Sequence, residues 1–159
     1  MNVSLHRRRS QGGMVLLVSL VFLLLLTLIG LSSMQSANLQ EKMAGSVSLR
    51  NQSFQTAEAA LRIGESAVQL DGYALAVCAS TTQCAPPAES SVVSAAGLNS
   101  TSGVNWIAAG SGFYGVQNIG TTLTAVNVPS NTSATLYRVT AVGIAGTSRS
   151  VVESVYAKY

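Results

Sequence analysis

Between Arg9 and Glu41 the chain carries no charged residue, and from Met14 to Leu31 it is almost wholly apolar. Those 18 residues make about 27 Å of α-helix, close to the ~30 Å hydrocarbon core of a bilayer. The polar interruptions, Ser19 and Thr27, are of the kind a helix satisfies by bonding hydroxyls to its own carbonyls. No proline precedes Pro86, so nothing covalent stops the helix at the end of the run. Beyond it Leu39, Met43, Val47, Phe54, Ala57, Leu61 and Val68 recur at three, four and seven residues, the spacing of one apolar helix face. Glu41, Lys42, Arg50, Gln55 and Glu65 fall on the other side, and Glu58 with Arg62 forms an i,i+4 pair in the favourable order. The pattern predicts one helix from Met14 to Leu70, ending at Asp71-Gly72, with a length on the order of 85 Å.

Asp71 to Thr101 is rich in Ala, Ser, Thr, Gly and Pro, and is expected to be an irregular connection broken at Pro86-Pro87. Strand-like segments follow at 104–108, 112–117, 123–128, 134–144 and 149–159, the last two flanking the turn-forming Ala145-Gly146-Thr147-Ser148. The expected architecture is α+β: a long N-terminal helix, membrane-spanning in its first half, packed by its second half on a C-terminal antiparallel β-sheet. Its divisions are a leader at 1–13, a transmembrane half at 14–31, a soluble half at 32–70, and a connection and sheet at 71–159.

Charge sharpens this picture. Arg7, Arg8 and Arg9 stand just before the apolar run and hold that end in the cytoplasm, so the remainder is exported. They also account for the whole formal charge of +3, because the six other basic residues balance six acidic ones. Without a basic stripe past the leader, direct nucleic-acid binding has no support. Cys78 and Cys84, in an exported chain, point to a structural disulfide of about 2 kcal/mol. A redox pair or metal site is the weaker reading, since the spacing is not C-x-x-C and no histidine is at hand.

Catalytic chemistry finds no footing. The single histidine, His6, lies in the leader, which removes the usual nucleophile–histidine constellations from the exported part. Glu41, Glu58 and Glu65 are spread along a helix as a solvated face would spread them. Gly110-Ser111-Gly112 is neither a nucleophile elbow nor a phosphate loop. The sequons at Asn51, Asn99 and Asn131 are short enough to arise by chance. No catalytic residue, metal site or cofactor is expected.

The leader junction is distinctive, because the glycine pair precedes the apolar run instead of following it as in a general secretory signal. Arg7-Arg8-Arg9-Ser10-Gln11-Gly12-Gly13 followed by Met14-Val15-Leu16-Leu17-Val18 resembles the class III leader of type IV pilins. The likeness continues through Asn38-Leu39-Gln40-Glu41-Lys42-Met43-Ala44-Gly45 and Arg50 to Arg62, which resemble the N-terminal region of PilX-type minor pilins. The resemblance implies that a prepilin peptidase cuts after Gly13 and that Met14 becomes the methylated N-terminus. It further implies a single-pass inner-membrane protein with a periplasmic C-terminal domain, which then enters the pilus, at its tip. There it would prime filament assembly with other minor pilins, the major pilin and a large tip adhesin, in a system serving twitching motility, cell adhesion or DNA uptake. Most pilins carry glutamate at the fifth processed position, and here that position is Val18.

Two other readings share these features. A pseudopilin of a type II secretion system has the same leader, helix and sheet, and only the stretch from Gln40 to Arg62 favours the pilus. An uncut membrane-anchored periplasmic binding domain would retain residues 1–13.

Overall fold

The computed structural model describes residues 12–159. Helix α1 runs Gly12–Gln69, and the chain divides into two compact units, Met1–Ala44 and Gly45–Tyr159.

In the first unit the described residues are α1 alone. Every large apolar side chain from Met14 to Leu31 is exposed, from 48% at Val18 to 72% at Met14. The two hydroxyls are satisfied within the helix, Ser19 Oγ donating to the Leu16 carbonyl at 2.9 Å and Thr27 Oγ1 to that of Leu24 at 2.8 Å. This helix is long and apolar enough to cross a membrane.

In the second unit the later turns of α1 lie on a five-stranded antiparallel meander, ordered β1-β2-β3-β4-β5. Its strands are β1 Gly97–Leu98, β2 Asn105–Ala109, β3 Gly112–Thr122, β4 Ala134–Ala145 and β5 Ser148–Lys158. The expected closing hairpin is present: Ala145 pairs with Ser148, and Gly146 takes the positive φ of 55° that a two-residue turn demands. The pilin-like α+β architecture predicted above is therefore the fold of the chain.

The core has two leaves, one on each face of the sheet. Between α1 and the sheet lie Ala60, Val68, Tyr114, Val116, Tyr137, Val139 and Ala141. Across the sheet Val104, Trp106 and Val142 pack with Val93, Phe113 and Ile144. The segment from 71 to 101 contributes to this second leaf, and it is more ordered than its composition suggests. It contains a single-turn helix α2 (Thr81–Cys84), a 3-10 turn (Ala88–Ser91) and the short strand β1. Ser80 caps α2 through the Gln83 amide at 3.2 Å, a start signal inside a stretch that otherwise looks irregular.

Two expectations are corrected. The segment 123–128 is not a strand: β3 instead continues to Thr122, and the chain then leaves the sheet, with Leu123 and Val126 exposed. Asn127 and Asn131 both adopt positive φ (62° and 64°) around Pro129, which loop chemistry permits and a ladder does not. The bulge between Asn118 and Gly120 re-aims the end of β3, with Asn118 Oδ1 accepting from the Gly120 amide at 3.0 Å. The second correction concerns the buried face of α1. Ala57 and Val68 belong to it, but Leu39, Met43, Val47 and Phe54 are exposed, and Leu61 is only partly buried. The inward positions are Ser53, Ala57, Ala60, Gly64 and Val68. Small residues are needed because backbones approach closely: a Cβ on Gly143 of β4 would collide with the Ser53 carbonyl and the Ala57 backbone.

Candidate functional site

His6 and Arg7 to Arg9 lie outside the described residues. Gly13 and Met14 lie at the N-terminal end of the described part of α1, where a glycine costs about 1 kcal/mol relative to alanine. A Cβ on Gly13 would meet no heavy atom within 4 Å, so the chain's own packing does not require glycine there. Met14, Val15, Val18, Phe22 and Leu26 line one exposed apolar face of the helix. From residue 12 to residue 40 that helix carries no ionisable side chain, so its surface offers no charge–charge contact.

The second region is the disulfide loop. Cys78 and Cys84 are joined, with 5.2 Å between their Cα atoms. The loop is fastened to the sheet face opposite α1. Gln117 Nε2 donates to the carbonyls of Gln83 (2.6 Å) and Ala85 (3.0 Å), Arg138 Nη1 donates to the Cys84 carbonyl (2.5 Å), and the Cys78 amide donates to the Asn118 carbonyl (2.9 Å). Arg138 Nε lies 3.1 Å from Glu153 Oε1, an ion pair without hydrogen-bond alignment. Nearby Glu89 accepts from Ser102 Oγ and from Trp106 Nε1, tying the 3-10 turn to β2. Sequence reasoning missed Gln117, Arg138 and Glu89. The available signal was a lone arginine within an otherwise uncharged strand pattern, which calls for a buried partner.

Titration is of minor weight. Burial, then Tyr137 and Tyr114, push the Tyr73 phenol above its ordinary value, while the exposed Arg62 guanidinium is raised by its hydrogen bond to Glu58 at 2.8 Å. The Glu58–Arg62 pair is the one anticipated from spacing. Gly110-Ser111 is the β2–β3 turn, and Asn99 spends its side-chain oxygen on the amides of Thr101 and Ser102. Among the described residues no three of His, Cys, Asp or Glu gather into a group that could hold a metal.

A long N-terminal helix, uncharged from residue 12 to residue 40, followed by an antiparallel meander with a disulfide loop on the sheet's outer face, is a pilin-like fold. Residues 12–62 match the family model described as PilX N-terminal; the match covers about a third of the chain and supports a PilX-type minor pilin of the type IV pilus. That family is structural. No curated protein and no solved structure matches the chain.

Proposed function

We propose that this minor pilin primes filament assembly from the pilus tip. The observation that carries the reading is the chargeless face at Val18, on a helix with no carboxylate before Glu41. A carboxylate within the bilayer costs up to about 3 kcal/mol on insertion scales, so a pilin bearing one is driven to pair it with the N-terminal amine of a subunit above. Val18 creates no such need. A subunit without that demand suits the one position that has nothing above it.

On this reading residues 1–13 are a leader cut after Gly13 by a prepilin peptidase, Met14 becomes a methylated N-terminus, and 14–31 crosses the inner membrane with the N-terminus cytoplasmic. The rest, 32–70 and 71–159, is periplasmic until the subunit joins the pilus. Its partners are other minor pilins, the major pilin and a large tip adhesin. A type II pseudopilin shares the helix and sheet, but the family match through residue 62 favours the pilus.

Two experiments test this. The mass of the mature protein should show loss of residues 1–13 and a methyl on Met14; an intact leader would return the chain to the anchored-domain reading. Deleting the gene should sharply reduce surface pili while leaving major pilin synthesis unchanged, and an unaltered pilus count would refute priming.

A further inference from the structure

The sheet ends in two unlike edges. β1, two residues long, offers almost no backbone to another chain. β5 has eleven residues, pairs with β4 along its whole length without a register shift, and contains no buried residue. Apart from its ladder with β4, its backbone makes no hydrogen bond to any described residue.

Edge strands of this length normally carry a proline, a bulge or charged side chains that discourage pairing. β5 has no proline and no bulge. Its charged side chains are engaged by the chain's own groups. Arg149 Nη1 donates to the carbonyls of Ser90 (3.3 Å) and Val93 (2.7 Å), Glu153 accepts from Thr140 Oγ1 (3.2 Å) beside Arg138, and Lys158 Nζ donates to the carbonyls of Val68 (3.0 Å) and Leu70 (2.6 Å) at the end of α1. On the face away from α1, Val151 and Val155 remain 43% and 54% exposed.

We propose that β5 is an acceptor edge for an extended strand of a different protein chain. A row of peptide donors and acceptors at strand spacing is matched only by another peptide backbone, which fixes the occupant's class. Charge disfavours a second copy in the antiparallel register that sets Val151 against Val155 of the other copy, because it also sets the partly exposed Glu153 against its own counterpart. The fitting strand has β-branched residues opposite Val151 and Val155 and a cationic residue opposite Glu153, whose side chain is 34% exposed. This inference rests on the sheet alone and stands apart from the pilus reading.

The test uses the full chain in detergent micelles and hydrogen exchange at the β5 amides. The probe is a blocked peptide, Thr-Val-Thr-Lys-Thr-Val-Thr, and its control is the same peptide N-methylated at alternate residues. Protection of the outward β5 amides should rise about tenfold with the peptide, stay flat with the N-methylated control, and be lost in the doubly substituted Val151→Lys, Val155→Lys protein. No protection, or equal protection by the control, would overturn the proposal. Protection that grows with protein concentration in the absence of peptide would also overturn it, by assigning the edge to a second copy.

Discussion

From Met14 to Leu31, α1 turns leucine, valine and phenylalanine outward in every direction, and all of them are exposed. From Ser53 to Val68 the same helix buries serine, alanine, alanine, glycine and valine. The difference lies in what each stretch packs against. Large apolar side chains facing outward need an apolar solvent or the helices of other subunits, and wide contact area is their contribution. Small ones facing a sheet let backbones approach, and Gly64 and Gly143 extend that closeness: a Cβ on Gly64 would sit 2.6 Å from Val139 Cγ1. One half of the helix is shaped for contacts outside the chain, the other for contacts within it.

The substitution expected to do most damage breaks the inner half. Gly143→Leu forces a side chain into the Ser53 and Ala57 backbone, which cannot yield, and should cost about 3 kcal/mol or more. Thermal unfolding followed by circular dichroism should show the loss; an unchanged melting temperature would mean that α1 does not pack this closely. Next comes a paired substitution that sets the halves against each other. Leu23→Lys places a charge in the apolar run and should impair membrane insertion by about 3 kcal/mol, whereas Phe54→Lys, on an exposed face, should change domain stability by about 0.5 kcal/mol at most. Carbonate extraction checks the first and a thermal melt the second. Equal effects would erase the distinction.

A smaller effect is expected at the disulfide. Replacing Cys78 and Cys84 by serine removes a short closed loop and should lower stability by about 2 kcal/mol, with only a mild fall in pilus number, because Gln117 and Arg138 still hold the loop carbonyls. Free-thiol labelling of both cysteines in the native protein would show that the bridge does not form.

How far these features were legible in the sequence follows from how local their causes are. The helix, its extent and the β4–β5 hairpin were legible because an uninterrupted apolar run and a Gly-containing turn between two β-branched stretches act through neighbours in sequence. The buried face of α1 was misjudged because periodicity weights large residues, while this helix buries its small ones, and only Gly143, on a strand about 90 residues later, explains why. Segment 123–128 looked like a strand by side chain alone; Asn127, Pro129 and Asn131 decided otherwise. In the candidate site Gly13, Met14 and Val18 were placed by the sequence at the start of the apolar run, and they lie there on α1. The clasp of Gln117, Arg138 and Glu89 was not, since its partners lie 13 to 54 residues away.

The central claim is that a helix without a carboxylate at Val18 belongs to the end of a filament. Immunogold labelling of the tagged wild-type protein on sheared pili measures this most directly, with Val18→Glu labelled in parallel. The account predicts gold confined to one end for the wild type, and gold distributed along the shaft once Val18 is glutamate, because that carboxylate gains by pairing with a subunit above. Uniform shaft labelling by the wild-type protein would contradict it.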